Sequence, residues 1–251
     1  MIRETLVREL DHDPRFQWRG GSVTRIENLS DIIFALALGM IVSSGARPET
    51  FEQLTAHLAT IVPISAAFAV LFMIWNAHYV FFRRYGVADG WIVFLNCLLL
   101  LLVLFTAYPL RFIFDSFFGY IWGMTTQDWD FMREANLTFE TSGTIMGYFC
   151  VGYALIFLVI SQMYAYALRK TDLLGLSPIE EAMTRQSVWY FRAQIMIIVT
   201  VGLLALFTPV RAFAGALMFF FWPAAYLIAW LVPLPDEKDG AVPGGSQQMV
   251  D

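Results

Sequence analysis

The 251-residue chain is far more apolar than a soluble protein, with 58% hydrophobic and only 15% charged residues. A soluble domain carries about 25% charged residues. The mean hydropathy of +0.61 indicates a protein that has a lipid bilayer as its solvent. The net charge is a mild −5, and no cluster of basic residues accompanies it. These features argue against a nucleic-acid partner.

Motifs typical of catalysis or metal binding are missing from the sequence. It contains no glycine-rich phosphate loop, nucleophile elbow or zinc-protease motif. The histidines at positions 12, 57 and 78 are too scattered for a zinc site. Cys97 and Cys150 both lie in apolar runs, as small buried thiols do. We therefore expect no enzyme activity, no metal and no cofactor.

Six segments are long and apolar enough to span a membrane, which takes about 20 residues each. They are Glu27–Ser44, Ala59–Phe82, Trp91–Phe112, Gly143–Leu168, Phe191–Thr208 and Ala212–Val232. The sequence thus predicts an all-α membrane protein whose six-helix transmembrane domain covers residues 27–232. Residues 1–26 form an N-terminal segment, and the Gly- and Pro-rich residues 233–251 are predicted to be a disordered tail. Residues 113–142 are predicted as the longest outer loop.

Lysines and arginines are distributed unevenly between alternate loops. Twelve of the sixteen lie in the first, third, fifth and last connecting segments, and four lie in the others. Cytoplasmic loops carry the excess of basic residues in membrane proteins. Both termini and the loops at 83–90 and 169–190 are therefore predicted to be cytoplasmic.

Polar side chains occur inside three of the apolar segments, where a membrane makes them costly. Ser30 and Asp31 lie in the first segment, His78 in the second and Asn96 in the third. At about 1.5 Å per residue, Asp31, His78 and Asn96 all lie roughly 8–9 Å from the cytoplasmic edge. This shared depth predicts a hydrogen-bond network between helices. The alternative is that these polar side chains line an ion path. Arg25 and Asp31 are on different sides of the helix, so each is predicted to bond to another helix or subunit.

The run R-I-E-N-L-S-D at residues 25–31 resembles the R-x-x-x-F-S-D signature of the transmembrane protein 175 family. This family comprises endosomal and lysosomal potassium channels and their bacterial relatives. Leu29 stands where the signature has phenylalanine. Trp75 and His78 resemble the W-x-x-H pattern of the family's second helix. The third segment resembles the family's third helix in Asn96, the leucines at 98–102 and Pro109.

The resemblance implies a potassium-permeable channel with one six-helix repeat per chain. Four chains are expected to form a homotetramer in a bacterial inner membrane, with monovalent cations as permeant ions. The first helix of each subunit is then expected to line the pore, without a separate filter loop. The residues implied to hold helices together are Arg25, Ser30, Asp31, Trp75, His78 and Asn96.

The resemblance also implies a hydrophobic constriction on the first helix. Its first position falls eleven residues after the motif arginine, at Leu36. Leu36 lies about 16 Å beyond Arg25 along the helix axis, near the middle of a roughly 30 Å hydrocarbon core. The next positions on that face are Gly39 or Met40, then Ser43. The family usually has threonine or leucine at the position of Gly39 or Met40, and leucine at the position of Ser43.

Two other functions stay open at this level. A proton- or ion-coupled transporter would use Asp31 and His78 as ion sites, but the chain lacks the paired broken helices of such proteins. A non-conducting membrane scaffold protein is suggested by Gly39 and Ser43, which depart from the family's constriction. A membrane enzyme has the least support, because no catalytic residues are found.

Overall fold

The computed structural model of the chain describes residues 15–21, 23–43, 49–209 and 211–235. The helices in these ranges are α1 (Arg25–Ser43), α2 (Phe51–Ala59), α3 (Ile61–Tyr85), α4 (Gly90–Thr126), α5 (Asp130–Glu134), α6 (Phe139–Arg169), α7 (Thr171–Leu174), α8 (Pro178–Phe207), the 3-10 helix η1 (Arg211–Phe220) and α9 (Phe221–Leu231). Residues 1–14 and 236–251 lie outside the described residues. The division into an N-terminal segment, a membrane domain and a disordered tail therefore stays a prediction.

Six helical stretches in the described part of the chain are long and apolar enough to cross a membrane. α1, α4, α6 and α8 each form one. α2 and α3 together form the second stretch, and η1 with α9 forms the sixth. The all-α, six-helix membrane architecture predicted from the sequence is confirmed.

Two helices extend well beyond the segments predicted from hydropathy. α4 continues to Thr126, so the predicted outer loop at 113–142 is wrong over its first half. α8 begins at Pro178, so the predicted loop at 169–190 is helical over its second half. Ser177 and Glu180 form a capping box at this start, with proline at the first helical position. Hydropathy locates the apolar middle of a helix, whereas caps and local side-chain pairs decide where it ends.

α4 is the central helix of the bundle, because it contacts α1, α3 and α6. α6 packs closely along α8, and η1 and α9 cover α8. Glycines permit this close approach: a Cβ at Gly143 of α6 would lie 2.7 Å from the carbonyl oxygen of Ala205. α1 contacts α3 and α4 and lies at an edge of the bundle.

The segment before α1 runs across one end of the bundle. The backbone N–H groups of Arg19 and Gly20 both donate to the Arg83 carbonyl at 3.1 Å. The Arg19 guanidinium donates to Glu180 Oε2 at 2.8 Å and to the Leu174 carbonyl at 2.7 Å. Three segments predicted to be cytoplasmic therefore meet at the same end of the molecule.

The orientation can be tested with single cysteines in a variant that lacks Cys97 and Cys150. Glu134 and Ala88 are both exposed and lie in segments that the basic bias assigns to opposite sides. In right-side-out vesicles we expect Glu134→Cys to react with an impermeant thiol reagent, and Ala88→Cys to react only after the vesicles are opened. The reverse labelling would mean that the orientation is inverted.

Candidate functional site

α1 begins with a capping box that the sequence analysis missed. The Thr24 N–H donates to Glu27 Oε1 at 2.9 Å, and the Glu27 N–H donates to Thr24 Oγ1 at 3.3 Å. The T-x-x-E pattern is a sequence signal of a helix start and explains why α1 begins at Arg25 rather than at Glu27. Glu27 also lies 3.7 Å from the Arg83 guanidinium, so the cap joins α1 to the end of α3.

The two sides of α1 have different surroundings. The buried side, which faces α3 and α4, consists of Glu27, Ser30, Phe34, Ala37 and Ile41. The opposite side is exposed and includes Ile32 at 65%, Leu36 at 53%, Gly39 and Ser43. Steps of three and four residues place each set along one face of a helix. α1 therefore packs on its own subunit with one face and leaves the other face open.

A chain of hydrogen bonds holds the buried face of α1. His78 Nε2 donates to Asn96 Oδ1 at 2.8 Å, and Asn96 Nδ2 donates to Ser30 Oγ at 3.0 Å. Ser30 Oγ in turn donates to the Ile26 carbonyl at 2.9 Å. The three polar side chains are at most 3% exposed. Each donor in this chain has an acceptor, which is what the burial of polar groups in a membrane requires.

A second polar contact lies beside this chain, on the open side of α1. Trp75 Nε1 donates to Asp31 Oδ1 at 2.9 Å, and Asp31 is exposed. Arg25 is exposed as well, and within the described residues of one chain it has no hydrogen-bond or ion-pair partner. The structure thus brings five of the six predicted network residues together and leaves Arg25 outside. A role for Arg25 in holding helices or subunits stays a prediction.

The arrangement fixes α1 in place and gives no access to its buried polar groups. The His78 ring lies 5.8 Å from the Phe34 ring and 4.8 Å from the Phe82 ring. Within the described ranges, no group of three or more His, Cys, Asp or Glu side chains is positioned to hold a metal ion.

The residues predicted to form the constriction lie on or beside the open face of α1. Leu36, Gly39 and Ser43 are exposed, and Met40 is partly buried. Ser43 Oγ donates to the Gly39 carbonyl at 2.7 Å, so the free side of the hydroxyl is an acceptor oxygen. A Cβ added at Gly39 would meet no atom within 4 Å. Their role in a constriction stays a prediction, because a constriction needs the faces of several chains.

A buried arginine holds the other end of α1. Arg111 lies inside α4 and is 6% exposed. Its Nη1 donates to the Ile41 carbonyl at 2.6 Å, and its Nε donates to Asp115 Oδ2 at 2.7 Å. The R-x-x-x-D spacing, which pairs residues across one helical turn, was the available signal.

Comparisons with known proteins agree with this arrangement. Residues 25–106 match the family described as endosomal/lysosomal potassium channel TMEM175. A protein of Marivirga tractuosa named potassium channel is 36% identical over 179 residues, which cover 70% of this chain and 72% of that protein. The chain belongs to the TMEM175 potassium-channel family. The stretch that matches the TMEM175 family contains every residue of the predicted network.

Solved structures of TMEM175 proteins support the same fold. The crystal structure of a variant of the potassium channel MtTMEM175, in complex with a nanobody–MBP fusion protein, matches with a TM-score of 0.74 and 32% identity, covering 88% of this chain and 97% of that chain. A lysosomal potassium-selective channel TMEM175 homologue from Chamaesiphon minutus matches with a TM-score of 0.53 and 19% identity, covering 81% and 96%. The latter supports the fold alone. This TMEM175 protein is a multi-pass membrane protein.

Replacement of Asn96 should destabilise the subunit. Asn96→Ala removes the acceptor for His78 and the donor to Ser30, and a buried polar group without its partner costs about 1–3 kcal/mol. We expect a lower midpoint of thermal unfolding for the detergent-solubilised protein. Cys97→Ala changes the neighbouring exposed residue and should unfold like the wild type. Equal midpoints for both variants would show that the hydrogen-bond chain does not stabilise the subunit.

Proposed function

We propose that this TMEM175 protein is a potassium-permeable channel in which the open face of α1 lines the pore. The proposal rests on a difference between two exposed edges of the bundle. α1 exposes Arg25, Asn28, Asp31, Gly39 and Ser43. The other edge, η1 and α9, exposes Phe219, Trp222, Tyr226 and Trp230. Charged groups are costly beside lipid, whereas aromatic groups are suited to lipid and its interfaces. The face that turns towards water is therefore that of α1.

Four copies arranged with their α1 helices around one axis would surround a water-filled path. Closed rings of identical subunits are the common form of oligomers. Asp31 accepts one hydrogen bond with one carboxylate oxygen, which leaves acceptor sites for a neighbouring subunit. Arg25, which is exposed as well, carries five N–H donors. Both residues are suited to hold a homotetramer together.

Leu36 is proposed as the narrowest ring of the pore. Four leucine side chains near mid-membrane bar a hydrated ion, because nothing polar replaces the water that it would shed. About one turn further along, Gly39 removes the side chain, and about two turns along, Ser43 presents an acceptor oxygen. We therefore expect the half of the pore beyond Leu36 to be wide and hydrated. Such a pore discriminates potassium from sodium weakly, since neither ion needs to lose its water.

The proposal includes an orientation and a location. Both termini lie in the cytoplasm, in agreement with the meeting of the basic segments at one end of the bundle. The inner membrane of a bacterium is the proposed location, because the Marivirga tractuosa relative is bacterial. Monovalent cations are the permeant ions, and no cofactor takes part.

A coupled transporter with Asp31 and His78 as ion sites is the main alternative. The position of His78 argues against it, because the ring is 3% exposed and packs between Phe34 and Phe82. An ion site of a transporter must instead open to water on each side of the membrane in turn. A non-conducting scaffold differs from a channel in carrying no current, which a bilayer recording decides.

Leu36→Asn should raise the unitary current of the purified protein in planar bilayers, because a polar ring wets the constriction. Leu227→Asn is the matched control: Leu227 lies on α9 and is 55% exposed, against 53% for Leu36. It should leave the current unchanged. If Leu36→Asn leaves the current unchanged and Leu227→Asn alters it, α1 does not line the pore.

Gly39→Thr should increase the preference for potassium, because it places a ring of hydroxyl groups where the pore is otherwise wide. The space around Gly39 accepts the new side chain within the subunit. We expect the reversal potential with potassium on one side and sodium on the other to shift towards the potassium equilibrium potential. Gly90→Thr, at an equally open position at the start of α4, should cause no shift. Equal reversal potentials for both variants would show that Gly39 does not line the pore.

A further inference from the structure

The structure contains a buried charge whose role goes beyond the proposed pore. We propose that Arg111 is a positioning residue for ion permeation, which holds the last turn of α1 against α4. That turn carries Ser43 and directly follows Gly39, the two residues proposed to shape the wide half of the pore. The inference rests on the proposed function, because it matters for permeation only if α1 lines the pore.

The surroundings of Arg111 show that its position is specific. An arginine inside a spanning helix is costly unless it is paired, and it marks a functional site by default. Asp115 lies one turn along α4 and balances the charge through its contact with Nε at 2.7 Å. Since the guanidinium is planar, this contact also orients Nη1 towards the Ile41 carbonyl. The pair therefore directs one donor across to a helix 70 positions earlier in the chain.

The contact is made at the end of α1 where a cation is most effective. Ile41 lies in the last turn of α1, which ends at Ser43. Backbone carbonyls gather at the C-terminal end of a helix and give it a partial negative charge. A cationic side chain that bonds to these carbonyls stabilises the end of the helix. Arg111 therefore acts on α1 both as a hydrogen-bond donor and as a charge.

The two contacts between α1 and α4 are spaced further apart on α4 than on α1, and the long arginine side chain makes up the difference. Asn96 and Arg111 are fifteen residues apart on α4, about 22 Å along its axis. Their partners Ser30 and Ile41 are eleven residues apart on α1, about 16 Å. Helical side chains lean towards the N-terminus, so a long side chain at position 111 spans the difference. A short polar residue at the same position would not reach α1.

The far half of α1 needs such a clamp. Gly39 is among the weakest helix formers and lies just before the last turn. The bond from Ser43 Oγ to the Gly39 carbonyl exists only while that turn is helical. Ser30 is held by Asn96 a dozen residues earlier and cannot stabilise this turn. If the turn frays, the Ser43 oxygen leaves the pore face and the shape of the outer pore is lost.

The test uses the double variant Arg111→Gln/Asp115→Asn, which removes the pair without leaving one buried charge unbalanced. The matched control is Arg133→Gln/Asp130→Asn, which makes the same changes in an ion pair whose side chains are 75% and 76% exposed. Each variant is studied as the assembled full-length protein. We measure amide hydrogen exchange along α1, and unitary current and reversal potential in bilayers.

In the Arg111→Gln/Asp115→Asn variant we expect exchange at residues 41–43 to be on the order of tenfold faster, the usual effect of a lost charge-assisted hydrogen bond. Exchange at residues 30–34 should not change. The reversal potential between potassium and sodium should shift, while the control variant keeps wild-type values in both measurements. Arg111→Lys keeps the positive charge, so it should change the amide exchange and the reversal potential less than the double variant does.

Two results would overturn the inference. Wild-type exchange in the Arg111→Gln/Asp115→Asn variant would show that Arg111 does not hold the last turn of α1. Faster exchange with an unchanged reversal potential and current would show that Arg111 only stabilises the fold. In either case a raised current in Leu36→Asn would leave the proposed channel function intact. No change in Leu36→Asn would reject α1 as the pore helix, whatever the Arg111 variants do.

Discussion

The hydrogen bonds that run from His78 through Asn96 to Ser30 set the position of α1 on which the rest of the structure depends. In the interior of a bilayer no water is available to replace a lost partner. A shift of α1 by one residue along its axis would break the bond to Asn96 and, at about 100° per residue, rotate the helix. The face that carries Leu36 would then turn into the subunit. The buried bonds therefore decide which face of α1 stays open.

The two ends of α1 are held by different chemistry. Near its start, the Asn96 amide bonds to the Ser30 hydroxyl and to the His78 imidazole, and the capping box of Thr24 and Glu27 fixes the first turn. At its far end, the charged Arg111 binds a backbone carbonyl. α1 is thus held near both ends by hydrogen bonds within its own subunit.

The exposed faces of α1 and α9 differ in composition. α1 packs on α3 and α4, and among the described residues nothing covers its other face. That face mixes charged, small and hydroxyl-bearing residues with apolar ones such as Ile32 and Leu36, while the face of α9 carries Trp222 and Trp230. Lipid suits the second surface and water suits the first. This asymmetry is the basis of the proposal that α1 lines the pore.

The six spanning segments and the polar residues at one depth follow from the sequence alone, because lipid requires long apolar runs and penalises each polar group within them. The signature at residues 25–31 likewise identified the family before any geometry was known. The length of α4 and the start of α8 did not follow, since caps and side-chain pairs, not hydropathy, set helix ends. The contact between Arg111 and Ile41 did not follow from the sequence either. It joins residues far apart in the chain, and only the packing of α1 on α4 in three dimensions brings them within hydrogen-bonding distance.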